Sequence, residues 1–192
     1  MLAHPAVLGA RVLPRSRIVA VASIIGFAFL TGVLAQWEIP LGFTPVPITG
    51  QTLGVVLAGA ALGSRNGAAS MGLYWILGAA GLPFYAGGDR GWEAATGSTA
   101  GYLVGFVVAA WLVGKLAETR QDRKALTAIP AILAGSVVIY LFGVSWLMIS
   151  LDVDLATGLE WGFAPFVVGD LIKVAAAGTL LPMIWRLVGD KS

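Results

Sequence analysis

The chain has 192 residues, 58% of them hydrophobic and only 11% charged, with a net charge of +2 and a mean hydropathy of +0.87. Soluble domains carry about 25% charged residues, so this composition belongs to an integral membrane protein. Scattered basic residues with no basic stripe argue against nucleic acid, and an absence of cysteine with a single histidine, His4, leaves no disulfide and no metal or cofactor centre to expect.

Arg11, Arg15 and Arg17 precede an apolar run too long and too glycine-rich for a cleaved leader, so it is read as a retained first span. Six apolar stretches follow in chain order, at residues 17–36, 51–62, 66–82, 98–117, 129–150 and 162–188. Crossing a bilayer takes about 20 helical residues, which the first, fourth, fifth and sixth supply. The second is short and predicts a strongly tilted span or one shielded from lipid. The expectation is an all-α, six-helix membrane bundle with irregular outer loops, a single domain over residues 1–192.

Charge orders the spans. Arg11, Arg15, Arg17, Arg65, Lys115, Arg120, Arg123, Lys124, Arg186 and Lys191 all fall on one side of an even-numbered topology. The opposite loops hold Glu38, Asp89, Glu93, Asp152, Asp154 and Glu160, with Arg90 as their one cation. The positive-inside rule then puts both termini in the cytoplasm. Small residues recur four apart at Gly50/Gly54, Gly59/Gly63, Gly101/Gly105 and Ala22/Gly26. Such spacing lets membrane helices approach at backbone distance. It serves packing inside the bundle or, for Ala22 and Gly26 on span one, docking of another membrane protein.

Two outer loops are long. Residues 37–50 contain Pro40, Pro45 and Pro47, which stiffen and extend the chain. Residues 83–97 combine Gly87, Gly88 and Gly91 with Phe84, Tyr85 and Trp92. Irregular backbone beside a membrane must be buried in protein or line a wet cavity, so a lid over a pocket fits.

Several enzyme classes are excluded. No P-loop occurs, since Gly114-Lys115 is followed by Leu116, and no G-x-S-x-G nucleophile elbow occurs. Binding or passage remains. Asp170 and Lys173 lie three apart within the apolar sixth stretch, on one helix face. Charges at that depth mark a functional site by default, the alternative being an ion pair that locks helix packing. Counted from Gly162, Asp170 is about 12 Å and Lys173 about 16 Å along the span, reachable from outside. An ionised carboxylate accepts and an ammonium donates, so the pair suits a ligand bearing both N–H groups and C=O or carboxylate groups. Gln51 adds a donor and an acceptor at the outer start of span two, and Arg90 is placed to clamp a carboxylate at the mouth.

Five runs carry a resemblance. Residues 44–52 (TPVPITGQT), 57–63 (LAGAALG), 81–88 (GLPFYAGG) and 97–106 (GSTAGYLVGF), with Gly169-Asp170-x-x-Lys173, follow in order the signatures of the BioY family. Ser98 stands where proline is usual and Tyr85 where a small aliphatic is common. The chain therefore resembles the biotin-specific substrate-capture (S) components of energy-coupling factor (ECF) transporters. The resemblance implies a multi-pass protein of the bacterial cytoplasmic membrane that binds biotin from outside. It implies no ATPase site of its own and, as partners, a membrane coupling (T) subunit and cytoplasmic ATP-binding-cassette ATPases. It further implies Asp170 on a ureido N–H, Lys173 on the ureido oxygen or another acceptor, and Arg90 on the carboxylate. Gln51, Phe84, Tyr85, Gly87 and Tyr102 would shape or cover the site. A stand-alone secondary carrier, an S component for another small vitamin and a purely structural subunit stay open, as does self-association.

Overall fold

A computed structural model describes residues 7–12, 14 and 16–189; His4, Arg15 and Lys191 lie outside them. A short α1 (Leu8–Val12) leads to α2 (Arg17–Ala35), which starts where the Ser16 hydroxyl accepts the Val19 N–H at 3.1 Å. Small residues of α2, including Ala28, Thr31, Gly32 and Ala35, are buried, while Ile18, Val21, Ile25 and Val33 are exposed. Large apolar side chains are exposed likewise at Leu141 and Ile149 of α6 (Ala125–Leu151) and at Val168, Leu171, Ile172 and Met183 of α8 (Val167–Leu187). A belt of large exposed apolar side chains around the bundle matches lipid as the surrounding solvent.

Among the described residues, four segments are long and apolar enough to cross a membrane: Arg17–Ala35, Ala100–Glu118, Ala125–Leu151 and Leu155–Leu187. These correspond to the first, fourth, fifth and sixth apolar stretches of the sequence. The second and third form α3 (Gln51–Ala79), whose backbone breaks at Gly63 with φ 81 and ψ 177. That conformation is essentially restricted to glycine. There α3 folds back, and a Cβ on Gly67 would lie 2.9 Å from the Gly59 Cα. The turn is fastened by α5 (Ala100–Glu118), where Glu118 Oε1 accepts from the Ser64 N–H at 2.9 Å and the Ser64 hydroxyl at 2.7 Å.

The paired glycines predicted for packing do pack inside. A Cβ on Gly54 would meet Thr31 Oγ1 of α2 at 2.7 Å, one on Gly59 the Ala110 carbonyl of α5 at 2.5 Å, and one on Gly105 the Ile139 Cα of α6 at 3.0 Å. Gly26 differs, with nothing within 4 Å of its would-be Cβ, and Ala22 beside it is exposed.

One end of the bundle gathers α1, the Gly63 turn, the loop after α5 and the end of α8. Trp185 Nε1 donates to Asp122 Oδ2 at 2.6 Å there, under the Arg123 guanidinium at 4.2 Å. The other end carries the long loops. Three departures from the sequence reading occur at that end. The first is a two-residue antiparallel ladder, β1 (Glu38–Ile39) with β2 (Ile48–Thr49), in a chain expected to be all helix. Second, residues 83–97 coil into a 3-10 turn at Ala86–Gly88 and α4 (Gly91–Thr96). Third, the last apolar stretch is interrupted. A helix α7 (Leu155–Gly162), capped by Asp154 accepting the Thr157 N–H at 2.8 Å, ends before Phe163, and a 3-10 turn containing Pro165 intervenes. Because α8 begins at Val167, Asp170 lies in its first turn, about 4.5 Å from the helix start rather than about 12 Å.

Candidate substrate-binding site

A cavity of about 620 Å³ opens between the long loops and the helices below them. That volume is within the range of small-molecule sites. The loop carrying β1 and β2 contributes Glu38, Leu41, Thr44, Val46, Thr49 and its three prolines; the second loop contributes Tyr85, Gly87 and Asp89. The floor is made by Gln51, Thr52, Tyr102, Phe106, Tyr140, Phe166, Asp170 and Lys173. Thr44 ties the first loop down, its hydroxyl donating to the Trp161 carbonyl at 3.0 Å, and Trp75 Nε1 ties α4 to α3 through the Ala95 carbonyl at 3.1 Å. Both loops are thereby held as walls.

Asp170 is 7% exposed, and its carboxylate is held on both oxygens. Oδ1 accepts from Lys173 Nζ at 3.0 Å and from the Thr52 hydroxyl at 3.3 Å; Oδ2 accepts from the Tyr140 hydroxyl. Position adds to this, because a carboxylate in the first turn meets the positive end of the helix dipole. Lys173 Nζ also donates to the Thr49 carbonyl at 2.7 Å and to Thr52 Oγ1 at 3.0 Å, so three acceptors surround its three protons. The pair is therefore both mutually satisfied and part of a cavity wall.

Gln51 opens α3 with its amide committed on both sides: Oε1 accepts the Thr49 hydroxyl at 2.7 Å, and Nε2 donates to Tyr74. Tyr74 passes the chain on to the Phe84 carbonyl at 3.1 Å. Tyr102 donates to the Gly162 carbonyl at 2.7 Å, and Tyr85 to the Trp75 carbonyl at 2.6 Å. Burial pushes the Tyr85 phenol up to about 12, so it stays a neutral donor. Gly87 takes φ 65 with Glu38 packed against it, 2.7 Å from a would-be Cβ, and so joins the two loops at the rim.

The BioY family profile matches residues 10–190. The chain belongs to the BioY family. Among relatives it is 41% identical to the biotin transporter BioY of Rhodobacter capsulatus over 166 residues, covering 78% of this chain and 87% of that one. It is 38% identical to the biotin transporter BioY of Thermotoga maritima over 156 residues, covering 81% and 89%. Among solved structures it superposes with TM-score 0.80 and 25% identity on the crystal structure of the S-component for biotin from an ECF-type ABC transporter, covering 88% of this chain and 92% of that one.

Four of the five BioY runs converge in space, whereas residues 57–63 lead along α3 to the Gly63 turn at the opposite end. Residues 44–52 build the first loop and the start of α3, residues 81–88 the second loop, residues 97–106 the start of α5, and Gly169 to Lys173 the first turns of α8. Of the residues expected at the site, Asp170, Lys173, Gln51, Tyr85, Gly87 and Tyr102 line the cavity. Phe84 lies one layer behind, stacked on Tyr74 at 6.1 Å and edge-on to Phe29 at 4.9 Å. Arg90 is outside the wall, exposed at the N-cap of α4 next to the wall residue Asp89, and Trp92 is exposed beside it. Sequence reasoning missed Tyr140, Thr49 and Thr52 as partners of the charge pair. The apolar run 129–150 also holds Ser136, Ser145 and Ser150, so a hydroxyl there did not single out Tyr140.

Proposed function

We propose that this chain captures biotin from outside the cytoplasmic membrane as the S component of an ECF-type transporter. The observation that carries the reading is the Asp170 carboxylate, anchored by Lys173, Thr52 and Tyr140 in the wall of a cavity with apolar and aromatic sides. A ureido ring supplies N–H groups for that carboxylate, and an apolar bicycle suits Tyr102, Leu103, Phe106 and Phe166. Lys173 would reach a ureido oxygen by exchanging one of its three present bonds. The carboxylate tail would leave at the rim, where Arg90 is within one residue of the wall.

The biotin transporters among the relatives, and the biotin S-component among the structures, support the same ligand. On this reading the two arms of α3 count as separate passes, giving six crossings of one domain with the basic end and both termini in the cytoplasm. Lacking a P-loop, the chain would draw power from a coupling subunit and partner ATPases. Equilibrium binding of labelled biotin to the purified, detergent-solubilised protein tests this. Saturable binding without partners is expected, and its absence removes the proposal. Uptake in cells should need ATP and co-expressed ATPases; uptake driven by a proton gradient alone would make the chain a stand-alone carrier.

A further inference from the structure

We infer that Tyr140 is a positioning residue for substrate recognition, its hydroxyl fixing Asp170 Oδ2 so that one acceptor site on that oxygen stays turned to the cavity. This rests on the biotin reading of the same site. A carboxylate offers about four acceptor positions, two on each oxygen. On Asp170, Lys173 and Thr52 fill both positions of Oδ1, and Tyr140 fills one of Oδ2. A single position remains, on the oxygen that Tyr140 holds. Lys173 has no proton left over, since Thr49, Thr52 and Asp170 take all three. The first contact open to an incoming N–H group is therefore Asp170 Oδ2, and the plane of that carboxylate decides where it points.

Tyr140 is well built to set that plane. Its ring is fixed edge-on to Phe163 at 5.0 Å and tilted against Phe166 at 6.4 Å. Both phenylalanines flank the break that starts α8, so the ring and the carboxylate are referenced to the same turn of chain. Recognition groups held by neighbours whose own rotamers are locked keep their geometry as a ligand arrives.

Tyr140→Phe keeps the ring contacts and removes only the hydroxyl. It should weaken biotin binding about 10-fold, the usual scale for one hydrogen bond to a charged group. In an Asp170→Asn background the same change should alter affinity by less than about 2-fold, because Tyr140 acts through Asp170. The ratio of affinities for biotin and for biotin methylated on a ureido nitrogen should also shrink in Tyr140→Phe, a change that loss of packing alone would not produce. The ligand-free variant should still fold, with a melting temperature within a few degrees of wild type, the scale of one lost hydrogen bond. Equal losses in both backgrounds, or an unchanged affinity ratio, would overturn the inference. So would a variant that does not fold, since the hydroxyl would then be holding the bundle rather than the carboxylate. Wild-type protein that fails to bind biotin would instead remove the underlying reading.

Discussion

Lys173 joins three parts of the molecule through one ammonium: α8, the first turn of α3 and the β2 carbonyl of Thr49. On the proposed reading its role is split between holding the wall and serving a ligand, and the two can be separated. Lys173→Met removes the tie to Thr49 and leaves the Asp170 carboxylate without its counter-charge. The expected cost is about 1–3 kcal/mol in ligand-free stability, less than for a fully buried pair because Lys173 is 21% exposed. Adding Asp170→Asn should return part of that stability, since no uncompensated charge remains, while leaving binding impaired. Melting curves of the single and double variants in detergent give the answer; a double variant less stable than Lys173→Met would mean that Asp170 is held mainly by other partners. The charge pair was legible in the sequence because an ion inside an apolar run is a one-dimensional signal. Tyr140 and Thr49 were not, because their partners stand 30 and 124 positions away and only the fold brings them to Asp170 and Lys173.

α3 shows what pattern and length can decide about an element, and what they leave open. Its first apolar stretch, residues 51–62, is too short to read as an ordinary span, and the glycine spacing announces close packing without naming the neighbour. The structure supplies the neighbour: each arm lies against the other, and α5 and α2 cover them through Gly59 and Gly54. The break in the last apolar stretch had a weaker sign, a single Pro165 among residues apolar enough to pass for one continuous helix. Backbone geometry at the α3 turn makes a sharp forecast. Gly63→Ala forces a Cβ into φ 81, ψ 177 and within 3.1 Å of Glu118 Oε1, the group that caps Ser64. A cost of about 1–3 kcal/mol is expected, read as a lower melting temperature. Gly72→Ala, in the second arm with nothing within 4 Å, should be neutral or slightly stabilising by helix propensity. Equal effects at both positions would mean that the turn is not strained by a side chain.

At the scale of the whole molecule, polarity is distributed by end. Arg11, Arg17, Arg65, Arg120, Lys124 and Arg186 belong to one end, and the cavity opens at the other. On the flanks, many large apolar side chains face outward, and small residues are exposed at Ala22 and Gly26 on α2 as they are at Ala175 and Ala176 on α8. Most glycines inside the helices meet a neighbouring backbone or side chain; Gly26, like Gly72, meets none. A partner helix approaching the membrane face of α2 could therefore come to backbone distance at that point, as small-residue seams allow. Gly26→Leu separates the two duties proposed for the protein. The leucine has open space and improves helix propensity, so folding and biotin affinity of the isolated chain should match wild type within about 2-fold. Partner-dependent uptake should fall steeply, with Gly26→Ala intermediate, because each added carbon pushes the approaching helix away. Side-by-side measurement of biotin binding to purified protein and ATP-dependent uptake in cells reads both duties. Uptake by Gly26→Leu at the wild-type rate would move the docking face elsewhere on the bundle, whereas loss of binding as well would mean that α2 supports the cavity rather than a partner.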